Sequence, residues 1–359
     1  MSIQTKRINR LRGELQEMNL DGLYVTNLTN VRYLSGFSGS AAQLLFLPDG
    51  QHFFTDGRYD EQSKSQVSDY DIHMIDPDYF TTFAKLGYLN KELKLGLEAA
   101  HLPLQTFRAV SEKFPKIQWV DTNNLVEPLA AVKDSSEIEA ISEAAGITDR
   151  VFKEIIKEMK VGSMERNIAA RVSYLFKTYG ADGDAYDPII ASGPNSALPH
   201  ATPGNRKFKA GDFVVMDIGA QFNGYCADLT RTVVIGDATD RHHEIYNIVL
   251  ESHLAGLKAA KAGITGVELD KVCRDVIEEE GYGPLFNHST GHGLGLEVHT
   301  YPRVSKVNDQ PLLENYVVTI EPGIYIPGWG GVRIEDDVWI KRNGCTSLNR
   351  STKELLELK

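Results

Sequence analysis

Four carboxylates and one imidazole stand in short, distinctive settings between Val214 and Glu335: Asp217 in MDIGA, Asp228 in ADLTRT, His292 in GHGLG, Glu321 in TIEPG and Glu335 in RIEDD. Oxygen-rich with a single nitrogen, this set suits Mn²⁺, Co²⁺, Fe²⁺ or Zn²⁺, and carboxylates shared by two ions hold them about 3.5–4 Å apart. Two such cations lower the pKa of a bridging water enough to supply hydroxide near neutral pH, so hydrolysis is the expected chemistry. An acidic residue at a strand end is ordinarily just solvated, and a lone Gly-His-Gly is a weak signal. Five such settings in this order form a joint pattern.

The elements that must position these groups are legible nearby. Phe213–Ile218 and Tyr225–Val234 are rich in Val, Ile, Tyr and Thr and read as strands, with the hairpin signal Asn223-Gly224 between them. A two-residue turn puts Asp217 diagonal to Asp228 on one face, and a four-residue turn puts them directly opposite. A three-residue turn splits them. Facing carboxylates repel in a bare hairpin, and a cation between them removes that cost. The same logic applies to Glu321 and Glu335, on the predicted strands Tyr316–Ile320 and Val332–Ile340, joined by Pro327-Gly328-Trp329-Gly330-Gly331.

The succession MDIGA, ADLTRT, HSTGHGLGLEVH, TIEPGIY and GVRIEDD resembles the pita-bread metallopeptidases. Within them it is similar to the proline-peptidase branch, aminopeptidase P and prolidase, over nearly the whole chain. The resemblance implies an α/β N-terminal creatinase-like domain over residues 1–130. An α+β pita-bread catalytic domain with pseudo-two-fold halves follows over residues 131–359. It also implies a metallo-exopeptidase with two divalent metal ions, Mn²⁺ first among them, acting through a metal-bridging hydroxide. The substrate is then a short peptide with proline at its second position. By the same resemblance Asp217 chelates one metal, Asp228 and Glu335 bridge both, and His292 and Glu321 complete the other shell. Glu321 also shuttles a proton to the leaving nitrogen. His200, at the end of SGPNSALPH, and His299 contact substrate and oxyanion, while Tyr186, His288 and Arg333 support the ligands from behind.

The resemblance also bears on specificity and assembly. VRYLSGFSGS and TDGRY look like the short bacterial aminopeptidase P-like proteins, so an Xaa-Pro aminopeptidase is expected, with Xaa-Pro dipeptidase as the alternative. A dipeptidase needs a cation for the free carboxylate after proline, and His200 and Arg303 are the candidates. Many relatives carry an acidic residue after His299, where this chain has Thr300. The N-terminal domain, which argues against a methionine aminopeptidase, resembles one that caps a partner subunit's site, so a homodimer is expected. A metal-free peptide-binding module on the same scaffold is disfavoured by the complete ligand set.

Composition narrows the class further. The 359 residues carry a net charge of −11 with 24% charged and 42% hydrophobic residues, an ordinary globular balance that points away from nucleic acid and anionic membranes as partners. The 3 cysteines show no CxxC spacing and suit a reducing, cytoplasmic setting. The opening MSIQTKRINRLRGELQEM has no apolar core of a signal peptide. Along the chain, residues 5–19 have helical periodicity, 27–40 read as a turn-rich segment, and strands and helices then alternate to Val120. Ser135 or Ser136 is the expected cap of a long helix. Helical patterns at 136–160 and 163–179 precede strands at 188–191 and 212–235. A second set, 241–261 and 266–280 before strands at 284–299 and 316–340, hints at a diverged duplication.

Overall fold

The computed structural model describes residues 2–359, and the turn on which the candidate pair Asp217 and Asp228 depends has two residues. Phe222 pairs with Tyr225, and Asn223 and Gly224 both take positive φ, 49° and 78°, as the tightest hairpin turns require. The same register continues through Ile218↔Leu229 and Asp217↔Thr230, so Asp217 and Asp228 lie diagonally on one face. The ladder bends between them. A Cβ on Gly219 would run into the Ala227 carbonyl, so only glycine permits the close approach. Because of that bend, the expected strand Tyr225–Val234 is two strands, Tyr225–Cys226 and Leu229–Ile235.

The second candidate pair, Glu321 and Glu335, repeats the device. Val317–Ile320 pairs with Asp336–Lys341, and Gly323–Ile326 pairs with Gly330–Arg333. The flanking pairs Ile320↔Asp336 and Gly323↔Arg333 share one register, which sets Glu321 opposite Glu335 in the gap between the ladders. Pro322 lies in that gap and has no N–H to donate. The expected strand Val332–Ile340 is accordingly interrupted at Ile334-Glu335.

The chain divides into two compact units, Met1–Ala130 and Ala131–Lys359. The first is built on a six-stranded mixed sheet in the order Asp71–Met74, Gly50–Thr55, Ala42–Leu47, Gly22–Val25, Leu93–Glu98, Ile117–Thr122. Tyr24, Leu45, Phe54, Phe83, Leu95 and Leu97 form part of its buried core. The segment expected as turns, 27–40, contains a helix, Leu28–Ser35. Asn27 starts it by accepting the Thr29 N–H, and Gly36 ends it in the left-handed region at φ 82°.

In the second unit one sheet runs Leu356–Leu358, Leu229–Ile235, Phe213–Ile218, Ile189–Ser192, and another runs Thr300–Val304, Gly291–Gly293, Val317–Ile320, Asp336–Lys341, Gly344–Ser347. The helices Ser135–Ile155 and Glu165–Thr178 pack on the first sheet through Val151, Val172, Met216 and Val233. Gly266–Glu279 packs on the second through Leu269, Cys273, Val318 and Ile320, beside the helix Asp240–Ala259. Two helices and a bent hairpin thus recur in each half. The long helix is capped by Asp134, not by Ser135 or Ser136: its carboxylate accepts from Ser136 and Glu137 N–H, and Glu137 closes the capping box. The expected strand 284–299 shrinks to Gly291–Gly293, because Pro284 falls in a 3₁₀ turn and 295–299 bends. No helix among the described residues is long and apolar enough to cross a membrane.

Candidate metal centre

Asp228, His292 and Glu335 each present a ligand atom within 4.8 Å of the other two. Asp228 and Glu335 are 5% and 2% exposed. His292 is aimed by its surroundings. A bulge opposite it pairs His292 with Arg303 and Gly293 with Thr300, and such bulges redirect side chains. Cβ atoms at Gly291 and Gly293 would collide with the Thr319 and Tyr301 carbonyls. The His292 Nδ1–H donates to the Gly293 carbonyl at 3.1 Å. Its Nε2 lone pair therefore faces Glu321 Oε1 at 3.4 Å and Asp228 Oδ2 at 3.7 Å.

Asp217 and Glu321 complete the cluster from either side. The Tyr186 hydroxyl lies 2.5 Å from both Asp217 Oδ1 and Asp228 Oδ1. One phenol proton serves one carboxylate at a time, so Asp217 and Asp228 share the Tyr186 hydroxyl. Asp217 Oδ2 accepts from Arg333 Nη2 at 2.5 Å. Glu321 Oε1 accepts from the Thr319 hydroxyl at 3.1 Å, and that hydroxyl also accepts the His292 N–H at 3.1 Å. Arg333 Nη1 donates to the Tyr325 hydroxyl at 2.9 Å. His288 donates through Nδ1 to Ser289 O at 2.8 Å, so its Nε2 accepts the Tyr325 proton at 2.8 Å.

The remaining histidines lie at the rim. The His299 ring sits 4.3 Å from that of His292, and His299 is exposed. His200 is exposed on a turn. Arg303 is also exposed, directly across the strand from His292.

The electrostatics are those of a pocket short of positive charge. Burial, then Glu335 and Asp217, push the Asp228 carboxyl well above its usual range. Burial, then Glu321 and Asp217, do the same to Glu335. Burial and the Asp217 and Asp228 charges likewise raise Tyr186. Burial lowers His292, His288 and His299, favouring neutral imidazoles.

Residues 139–342 match the model of Metallopeptidase family M24, and residues 7–132 match that of the Creatinase/Prolidase N-terminal domain. The chain belongs to Metallopeptidase family M24. Its architecture is the family's: a creatinase-type α/β domain followed by a pita-bread catalytic domain. It is similar to a Xaa-Pro dipeptidase of Pyrococcus furiosus, 38% identical over 98% of this chain and 99% of the relative. Among solved structures it superposes on a Xaa-Pro dipeptidase from Bacillus anthracis at TM-score 0.95, with 39% identity over 99% of this chain and 100% of that one. An X-Pro aminopeptidase from Thermotoga maritima matches at TM-score 0.89 and 39% identity, covering 97% and 98% of the two chains.

This family works with divalent metal ions, and the residues present fit them. A neutral imidazole lone pair and buried carboxylates converge on one point, with each other's charge as the main neighbour. Such a constellation is costly empty and stable around cations. Sequence reasoning missed Thr230, Thr319 and Tyr325, which hydrogen-bond Glu335, Glu321 and Arg333. The threonines were visible inside ADLTRT and TIEPG, but a threonine in a strand reads as an ordinary β-former.

Proposed function

We propose that this metallopeptidase hydrolyses Xaa-Pro bonds with two divalent cations held by Asp217, Asp228, His292, Glu321 and Glu335, and that the dipeptide Xaa-Pro is its preferred substrate. The observation that carries the metal reading is the convergence of the Asp228, His292 and Glu335 ligand atoms within 4.8 Å. Asp217 would hold one ion, Asp228 and Glu335 would be shared, and His292 and Glu321 would serve the other. Cations there, Mn²⁺ first for so oxygen-rich a set, would lower the pKa of water and polarise a carbonyl. The Glu321 carboxylate takes the proton of the attacking water and passes it to the proline nitrogen as the C–N bond breaks. His299 and His200, at the rim, donate to the carbonyl oxygen as negative charge grows on it. Tyr186, His288 and Arg333 keep the ligands in place.

The sequence alone leaned towards an aminopeptidase. Relatives named Xaa-Pro dipeptidase, from Pyrococcus furiosus and Pyrococcus horikoshii, and the Bacillus anthracis structure favour the alternative. The exposed Arg303 across from His292 supports it too, since a cation beside the metal pocket suits the free carboxylate of a dipeptide. The Thermotoga maritima match keeps the aminopeptidase as the second reading. Comparing kcat/KM for Xaa-Pro and Xaa-Pro-Yaa-Zaa decides between them. The dipeptide should win by at least about tenfold, a difference of roughly 1.4 kcal/mol in transition-state binding. Arg303→Ala should raise KM for the dipeptide and spare the tetrapeptide. Faster cleavage of the tetrapeptide makes the enzyme an aminopeptidase.

A further inference from the structure

The strand Leu229–Ile235, in the half that bears Asp217 and Asp228, meets the 333–336 segment of the other half largely through side chains. Thr230 grips Glu335 at two points. Its carbonyl accepts the Glu335 N–H at 3.1 Å, and its hydroxyl donates to Glu335 Oε2 at 2.6 Å. The direction of that second bond is forced. Arg333 Nε–H, which can only donate, occupies the acceptor side of the Thr230 hydroxyl at 3.0 Å. The single hydroxyl proton is left for Glu335. Thr230 is fully buried, while Glu335 and Arg333 are 2% and 3% exposed, so no water competes for these partners. Arg333 in turn donates to Asp217 Oδ2 and Tyr325. A chain of directed hydrogen bonds thus runs from Asp217 through Arg333 and Thr230 to Glu335, joining ligands of both halves. Thr230 also stands directly opposite Asp217 in the ladder. The Thr232 hydroxyl bonds the Arg333 backbone N–H and carbonyl at 3.1 and 3.0 Å, which holds the guanidinium's strand in line.

We propose that Thr230 is a positioning residue of the metal centre: its hydroxyl fixes the rotamer of Glu335 across the two halves of the catalytic domain. The inference rests on the metal-centre reading above and adds a residue to it. The Thr230 hydroxyl bonds Glu335 and Arg333, so its effect runs through that carboxylate and that guanidinium. Removing the hydroxyl frees that carboxylate to rotate and strands the Arg333 Nε–H in a buried site.

The test compares Thr230→Val, which keeps the shape, and Thr230→Ser, which keeps the hydroxyl, with the wild-type chain. Mn²⁺ is titrated calorimetrically into each metal-stripped protein. Wild-type protein should take two ions. Thr230→Val should bind the weaker of them about 10–100-fold less tightly, the usual cost of losing a hydrogen bond behind a ligand. Thr230→Ser should stay within about threefold of wild type, since the bond behind the ligand remains. At saturating Mn²⁺ the KM of Thr230→Val for Xaa-Pro should be unchanged. Should Thr230→Val not fold, Thr230→Ala against Thr230→Ser repeats the comparison across one hydroxyl. Affinity in the variant lacking the hydroxyl within twofold of wild type, or a serine variant as weak as the valine one, overturns the role of Thr230. A wild-type chain that binds no Mn²⁺ instead overturns the metal-centre reading itself.

Discussion

Replacing Asp228 by asparagine keeps the side chain's shape and removes a charge that burial and its neighbours Glu335 and Asp217 already disfavour. Two consequences follow, with opposite signs. In the empty protein the variant should melt no lower than wild type, because a repelling carboxylate is gone. In the loaded protein a shared ligand is lost, and activity should fall by more than about a hundredfold, with less metal retained after dialysis. Wild-type turnover in Asp228→Asn would rule out the shared-ligand role. At this scale the sequence was informative about ligand types and nearly silent about what holds them. Aspartate, glutamate and histidine in unusual local settings signal chemistry. Thr230, Thr319 and Tyr325 have strand-like surroundings, and only three-dimensional placement shows what their hydroxyls do.

At the scale of elements, the Asn223-Gly224 turn was readable because both residues tolerate positive φ, and the turn fixes the register that sets Asp217 diagonal to Asp228. The breaks at Ala227-Asp228 and Ile334-Glu335 were not anticipated, since Tyr225–Val234 and Val332–Ile340 read as unbroken strands. The helix Leu28–Ser35 was missed for a related reason: Asn27, Ser35 and Gly36 look like turn residues, yet Asn27 and Gly36 are its two caps. The strand Gly50–Thr55 carries its own liability. His52 is buried, stacks on Tyr88 at 4.0 Å, and has no hydrogen-bond partner for either ring nitrogen. Burial lowers its pKa, with Asp71 at 3.4 Å opposing and His73 adding to the effect. A depressed folded-state pKa gives stability that is complete above the ordinary histidine value of about 6.5 and is lost as pH falls through the folded value. Amide exchange in Gly50–Thr55, corrected for the intrinsic rate, should therefore accelerate between pH 7 and pH 5. His52→Phe should flatten that dependence. An identical pH response in the variant would clear His52 of the effect.

At the scale of the molecule, the matches to both family models and the near-complete overlap with relatives account for the two-unit plan. Every proposed metal ligand falls within residues 217–335, and the unit Met1–Ala130 contributes none. We propose, from the resemblance of this unit to domains that cap a partner subunit, that it caps a second copy's site. Light scattering at assay concentration should report a dimer or larger, and an active monomer would defeat that expectation.

The crowding of acids around one imidazole has a consequence outside catalysis. An empty pocket of mutually repelling carboxylates makes the bare fold less stable than the filled one, and cations that bind only the folded chain shift unfolding by mass action. At free metal one hundred times the dissociation constant, the gain is about 2.7 kcal/mol for one site. Melting temperature should then rise steadily with the logarithm of free Mn²⁺ and collapse on adding chelator, with no substrate present. Resistance to proteases would follow the same curve. The amount of intact protein in a cell would thereby report the metal supply around it, since chains made when the ion is scarce are the ones most readily degraded.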